Sequence, residues 1–165
     1  MAERIPIGSD HAGVALKARL VDELRALGYE PVDVGTHDSA SVDYPDYAHI
    51  VAGKVAAGEA ARGVLLCGSG LGMSYAANRH PGVRAAVVWN PEIAALAREH
   101  NDANVLVLPA RFVSADEGLA ILRTWLTTPF AGGRHVRRIE KIDQEPAPCS
   151  TTTPPSGTPT PSSRG

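Results

Sequence analysis

A cysteine stands where an apolar run meets a glycine-rich turn, in the stretch GVLLCGSGLGMS that covers residues 63–74. The backbone N–H groups of such a turn, together with the start of a helix, can bind an anion or an oxyanion. A helix N-terminus also stabilises a thiolate, so Cys67 could act as a nucleophile or as a base in proton transfer. The same pattern fits a tight strand–helix turn with a small buried cysteine, and the pattern alone leaves both interpretations open.

Three further groups of polar residues combine types that catalyse reactions or bind anions. His100 and Asn101 end a predicted helix, where they could serve as an acid and an orienting amide. Alternatively they could cap the helix, with Asn101 in the left-handed backbone conformation and His100 near the negative end of the helix dipole. Asp10 follows the first predicted strand and could face a ligand, cap the next helix, or do both. Arg134 and Arg138 are one helical turn apart and could bind a phosphate together or form a solvated charged face.

Other chemistries find less support in the sequence. The spacing of Cys and His residues matches no zinc motif, so we expect no bound metal. Ser69 and Ser74 could be read as hydrolase nucleophiles, but neither lies in a G-x-S-x-G motif. Cys67 and Cys149 lie far apart, which argues against a disulfide framework and a paired redox motif and favours a cytoplasmic location.

The composition is typical of a globular domain that binds neither nucleic acid nor membranes. Of 165 residues, 44% are hydrophobic and 21% are charged, and the formal net charge is −2. No cluster of Lys and Arg predicts binding to nucleic acid, and no apolar segment approaches the roughly 20 residues of a membrane span. The opening stretch MAERIPIGSDHAG lacks a long apolar core, so we expect no signal peptide.

The elements that must position these residues follow from an alternation of short apolar runs and longer amphipathic segments. The predicted strands cover 4–9, 30–35, 62–67, 83–89 and 103–110, and the predicted helices cover 12–28, 46–60, 71–80, 91–101, 114–129 and 133–145. This order predicts a parallel sheet with helices on both faces. Ligands in such folds bind beyond the carboxyl ends of the strands, which is where Asp10 and Cys67 would lie.

The C-terminal segment, residues 145–165, differs from the rest of the chain. It is rich in Pro, Ser and Thr and has no apolar periodicity, and a segment of this composition cannot bury a core. We therefore expect one domain over residues 1–144, followed by a disordered tail.

Five motifs lie in order along the chain: SDHAG after the first strand, VDYPDYA at 42–48, LLCGSGLGMSYAANRHPGVRAA at 65–86, REHNDANVL at 98–106 and TTPFAGGRHVRRIEKI at 127–142. Together they resemble ribose-5-phosphate isomerase type B, whose wider family includes galactose-6-phosphate and allose-phosphate isomerases. The resemblance implies a Rossmann-like α/β/α sandwich of three layers around a five-stranded parallel sheet. It also implies dimers or tetramers, no metal or organic cofactor, and aldose–ketose isomerisation of a phosphosugar through an enediolate.

The resemblance also implies roles for individual residues. Cys67 matches the family's thiol base, and His100 matches the residue that opens the sugar ring, with Asp10 near the ring oxygen. The oxyanion pocket corresponds to Ser69 and the backbone of Gly68, Gly70, Leu71 and Gly72. The remaining matches contact the substrate: Tyr44 lines the pocket, Asn101 binds a hydroxyl group, and the phosphate set is His11, Arg134 and Arg138, with Arg111 as a weaker match.

Residues of two subunits complete each site in this family, which implies that activity requires a dimer. Some members use a glutamate six positions after the cysteine; here that position is Met73, so Cys67 is the only one of the two bases present. The stretch VLPARFV places Pro109 where the family usually has glycine, and the proline could alter the strand end before Arg111.

The function implied by the resemblance is the interconversion of ribose 5-phosphate and ribulose 5-phosphate. One alternative is an isomerase of a six-carbon phosphosugar, such as allose 6-phosphate or galactose 6-phosphate. Another is a binding protein that holds a phosphosugar without chemistry. The presence of both Cys67 and His100 argues against a simple binding protein, since binding requires neither a base nor a ring-opening acid.

Overall fold

The structure is a computed structural model that describes residues 2–144. Its strands are β1 (Arg4–Ser9), β2 (Glu30–Asp33), β3 (Gly63–Cys67), β4 (Ala85–Val87) and β5 (Val105–Pro109). Its helices are α1 (Val14–Ala26), α2 (Tyr44–Ala56), α3 (Leu71–Ala77), α4 (Pro91–Asn101), α5 (Ala115–Thr127) and α6 (Arg134–Ile139). The predicted tail, 145–165, lies outside the described residues. Within 2–144 no helix has the length and apolar character to cross a membrane.

The five strands form a single sheet in the order β2-β1-β3-β5-β4, and every neighbouring pair is parallel. Helices α1, α4 and α5 pack on one face of this sheet, and α2 and α3 pack on the other. Parallel neighbours require a crossover between strands, which the helices supply. The predicted three-layer α/β/α architecture with a five-stranded parallel sheet is confirmed.

The two central strands carry the core and determine where the site lies. Every residue of β3 and of β5 is buried, which explains why both read as continuous apolar runs. Side chains of β3 alternate between the two cores: Leu66 belongs to the core under α1, α4 and α5, whereas Leu65 and Cys67 belong to the core under α2 and α3. Cys67 pairs with Pro109 at the carboxyl ends of the two strands.

Five of the six helices differ from their predicted bounds by one or more residues, and for the first and the last helix the local reason is visible. The first helix begins at Val14 because a 3-10 turn, His11–Gly13, precedes it and is capped by Asp10. The last helix covers six residues rather than 133–145, and none of them is buried. Packing of an apolar face supplies most of the stability of a protein helix, and α6 has too little of it to extend further.

The 3-10 turn packs closely on the central strand. A Cβ atom at Gly13 would lie 2.8 Å from the Cβ atom of Leu66 and 2.8 Å from that of Ser9. Only glycine allows the turn to approach β3 this closely, and this approach sets the position of Asp10 beside the end of β3.

Replacing Gly13 with alanine should lower the free energy of unfolding by about 1–3 kcal/mol, because the added methyl group overpacks this contact. Urea denaturation followed by circular dichroism would measure the change. Gly53→Ala is the matched control. Gly53 lies inside α2, and a Cβ atom there would meet only the Cε1 atom of His80, at 3.9 Å. Because glycine destabilises a helix interior relative to alanine, this substitution should stabilise the protein by about 0.5–1 kcal/mol. Unchanged stability of Gly13→Ala would contradict the close packing.

Candidate active site

The loop after β3 is fixed by the neighbouring central strand. The Cys67 carbonyl accepts a hydrogen bond from the Ala110 N–H at 2.9 Å, and the Gly68 carbonyl accepts one from the Arg111 N–H at 3.1 Å. Only 4% of Cys67 is exposed. The position of the cysteine is therefore determined by two fully buried strands rather than by a mobile loop.

The Cys67 sulfur accepts a hydrogen bond from the Gly70 N–H, with a distance of 3.2 Å between nitrogen and sulfur. Gly70 has φ +76°, a left-handed conformation that favours glycine, and this turn brings the N–H back over the sulfur. The Ser69 hydroxyl in turn accepts from the Leu71 N–H at 3.4 Å. A backbone donor therefore points at the sulfur, which holds the thiol in a defined position at the start of the loop.

A cavity of about 380 Å³ opens beside this loop. It is lined by Asp10, Tyr44, Cys67, Gly68, Ser69, Gly72, Arg111 and Phe112. All of these except Phe112 are site residues predicted from the sequence. The volume suits a small molecule, and the lining combines a thiol, a carboxylate, a guanidinium group and two aromatic rings.

Asp10 combines the two roles that the sequence left open. Its Oδ1 atom accepts a hydrogen bond from the Ala12 N–H at 2.9 Å, which caps the 3-10 turn, and the same residue lines the cavity.

His11 contacts a different part of the chain: its Nδ1 atom accepts a hydrogen bond from the Val42 N–H at 3.4 Å. This bond ties His11 to the loop between β2 and α2, and His11 is absent from the cavity lining described for residues 2–144.

Two glycines let larger side chains reach the cavity. A Cβ atom at Gly72 would lie 2.5 Å from the ring of Tyr44, and one at Gly68 would lie 3.2 Å from the Cδ atom of Arg111. The ring of Tyr44 and the side chain of Arg111 therefore lie directly over the loop. Pro109 remains in β5 and pairs with Cys67, so the strand continues through the proline, and Arg111 lines the cavity.

Four other predicted residues lie on α4 and α6 and form a second group outside this cavity. His100 and Asn101 are the last two residues of α4, and Arg134 and Arg138 lie on α6. Within the described part of the chain, none of the four lines the Cys67 cavity. The Ala131 N–H donates to the Glu99 carbonyl at 3.0 Å, which holds the segment before α6 against the end of α4.

Asp102, which the sequence did not single out, anchors the end of α4. It accepts hydrogen bonds from the guanidinium groups of Arg98, at 2.8 Å, and Arg84, at 3.0 Å. Arg84 also donates to the carbonyl of Asn101 at 3.0 Å. Asp102 has φ 45°, whereas Asn101 is still helical. The left-handed cap considered for Asn101 therefore lies one residue later. The two cations also compensate the negative end of the helix dipole.

The chain is an α/β protein with a parallel sheet. At the carboxyl ends of the strands it has a loop that begins with Cys67 and contains backbone N–H donors. It belongs to the ribose/galactose isomerase family, whose model matches residues 5–142. The resemblance found in its five motifs is thereby confirmed. Within residues 2–144 no cluster of three or more His, Cys, Asp or Glu residues is suited to hold a metal ion.

Individual relatives resemble the chain over most of its length. The ribose-5-phosphate isomerase B of Escherichia coli is 44% identical over 140 residues, which cover 85% of this chain and 94% of that protein. A ribose 5-phosphate isomerase from Thermotoga maritima has a solved structure with a TM-score of 0.84 and 52% identity, covering 87% of this chain and 99% of that chain. The Mycoplasma genitalium ribose-5-phosphate isomerase B, solved with bound ribulose 5-phosphate, has a TM-score of 0.83 and 44% identity, covering 86% and 95%.

Two substitutions at Asp102 separate backbone strain from lost charge. Both Asp102→Ala and Asp102→Gly remove the carboxylate that binds the two arginines, but only alanine resists the left-handed conformation. We expect Asp102→Ala to be less stable than Asp102→Gly by about 1–2 kcal/mol, measured by urea denaturation. Equal stability of the two variants would show that the backbone at this position carries no strain.

Proposed function

We propose that the protein interconverts ribose 5-phosphate and ribulose 5-phosphate. The observation that carries this proposal is the buried Cys67 thiol, held by the Gly70 N–H at the edge of a small-molecule cavity. The choice of substrate is supported by relatives named ribose-5-phosphate isomerase B and by the Mycoplasma genitalium structure with ribulose 5-phosphate.

Cys67 is the base of the proton transfer. The thiolate removes the proton from C2 of the open-chain aldose, and the released electron pair forms the C1–C2 double bond of an enediolate. A proton then passes from O2 to O1, and return of the carbon-bound proton from the thiol to C1 gives the ketose with its carbonyl at C2, so one base serves both carbon–hydrogen steps. The Ser69 hydroxyl and the backbone N–H groups of residues 68–72 stabilise the negative oxygen of the enediolate.

His100 assists the opening of the sugar ring. Ribose 5-phosphate is mostly a closed ring, in which O4 is bonded to C1, and proton abstraction requires the free aldehyde. His100 transfers the proton needed for this step, with Asp10 near the ring oxygen and Asn101 on a substrate hydroxyl group. The phosphate is bound by His11, Arg134 and Arg138, and the position of Arg111 over Gly68 makes it a further cation for the same group.

Each site contains residues of two subunits. The cavity beside Cys67 is not lined by His100 or by either arginine of α6 within the described chain, which supports a site to which a second copy contributes these residues. Apolar side chains near the loop are free to be buried by that copy: Leu71 is 49% exposed, Tyr75 is 64% exposed and Phe112 is 75% exposed. A homodimer, or a homotetramer built from such dimers, is the active form.

A phosphorylated hexose is the second candidate substrate, because the family description includes galactose isomerases. Such a substrate has one more hydroxymethylene group, which must fit between the Cys67 loop and the phosphate-binding arginines. The chemistry at C1 and C2 would be the same.

Cys67→Ala should abolish the exchange of the C1 proton of ribulose 5-phosphate with deuterium from solvent, since no other group replaces the base. Proton NMR in D₂O would follow the exchange, and we expect a loss of about 100-fold or more. Titration calorimetry should still detect binding of ribulose 5-phosphate. Cys149→Ala is the matched control and should exchange at the wild-type rate. Exchange that persists in Cys67→Ala would reject the thiol as the base.

Mixing two inactive variants tests whether the sites are shared. When Cys67→Ala and His100→Ala subunits are refolded together, half of the dimers are mixed, and each mixed dimer has one site with both residues intact. About a quarter of the wild-type activity should return in a two-fold symmetric dimer. As a control, Cys67→Ala mixed with the double variant should stay inactive. No recovery in the first mixture, despite proven subunit exchange, would place both residues of a site in one chain.

A further inference from the structure

His100 stacks on a second imidazole for which the proposed chemistry has no role. The ring of His135 lies face to face with that of His100, with 4.5 Å between the ring centroids and 11° between the ring planes. His100 belongs to the last turn of α4 and His135 to the first turn of α6. The stack therefore joins the two helices that carry the second group of site residues.

The backbone holds His135 in this place. The His135 N–H donates to the Gly132 carbonyl at 3.2 Å, and the Ala131 N–H donates to Glu99, the residue before His100, at 3.0 Å. Gly132 and Gly133 have φ values of +65° and +58°, so the chain turns sharply into α6 in a way that favours glycine. The approach of one ring to the other thus follows from the chain path.

The charges around the stack favour a neutral His135. Its pKa lies below the ordinary value of 6.5, first because of desolvation and then because the positive charges of His100, Arg134 and Arg138 disfavour its protonated form. At neutral pH His135 is therefore an uncharged ring. Such a ring can lie against His100 whether His100 is neutral or protonated, since a cation over a π face is attracted to it.

We propose that His135 is a positioning residue that fixes the plane of the His100 imidazole for opening of the sugar ring. The inference rests on the proposed function, in which His100 transfers a proton in that step. Stacking occupies one face of the His100 ring and leaves its edge, which carries both nitrogen atoms, available to the substrate. A ring held in one plane keeps its nitrogen aligned with the ring oxygen, and misalignment of a proton-transfer group slows the reaction strongly.

Two reactions separate ring opening from proton transfer. Conversion of ribose 5-phosphate requires the ring to open, whereas ribulose 5-phosphate is already open, because its O5 atom is esterified to phosphate and cannot close a ring onto C2. Deuterium exchange at C1 of ribulose 5-phosphate therefore reports on Cys67 without ring opening. Comparing the two rates in one variant shows which step has changed.

His135→Ala removes the stack, and we expect kcat for ribose 5-phosphate to fall about 10- to 100-fold, with the deuterium exchange of ribulose 5-phosphate changed less than twofold. His135→Phe keeps a flat ring in the same place and should recover most of the lost activity. His80→Ala is the matched control, because it disrupts the other histidine pair, His49–His80, whose rings lie 5.1 Å apart. This control should leave both reactions unchanged.

The inference is overturned if His135→Ala converts ribose 5-phosphate at the wild-type rate, or if His135→Phe is as slow as His135→Ala. It is also overturned if both reactions slow by the same factor, since this would point to a general loss of structure or of phosphate binding. Failure of the proposed function looks different, because the wild-type protein itself would then show no exchange with ribulose 5-phosphate.

Discussion

The hydrogen bond from the Gly70 N–H to the Cys67 sulfur is the contact on which the geometry of the candidate site depends. It requires a left-handed residue directly before the first residue of α3, and Gly70 meets that requirement. It also requires that the loop keep its position. The carbonyl groups of Cys67 and Gly68 accept hydrogen bonds from the N–H groups of Ala110 and Arg111, in the turn after β5, which fixes the loop. The sheet thus fixes the position of the thiol, and the loop after β3 supplies a hydrogen-bond donor to its sulfur.

The two groups of site residues are held by different means. The Cys67 group rests on the central strands, whose every residue is buried, and it should change little between free and bound protein. The His100 group lies at the end of α4, where Asp102 links Arg84 and Arg98 and His135 stacks on His100. In the proposed shared site, the Cys67 loop comes from one subunit, and the acid His100 and the cations Arg134 and Arg138 come from the other.

Much of the fold could be predicted from the sequence because its strongest signals are local. The apolar runs ending at Ser9, Cys67 and Pro109 are buried strands, and the motifs predicted the family that the comparisons confirm. Contacts that depend on tertiary packing were not predictable in this way. The exposure of Phe112 at the cavity and the stacking of His135 on His100 have no periodic signature. The carboxylate of Asp102, the left-handed cap, binds Arg98 one helical turn before it and Arg84, which is 18 residues earlier in the chain, and in the sequence only the neighbouring asparagine suggested such a cap.

The central claim is that the protein isomerises a five-carbon phosphosugar. The most direct measurement is the kcat/KM of the purified full chain for ribose 5-phosphate, allose 6-phosphate and galactose 6-phosphate, in parallel and without added metal. The account predicts a clear preference for ribose 5-phosphate. A preference for either hexose phosphate would contradict the assigned substrate while preserving the chemistry at C1 and C2, and binding of all three without turnover would contradict the assignment as an isomerase.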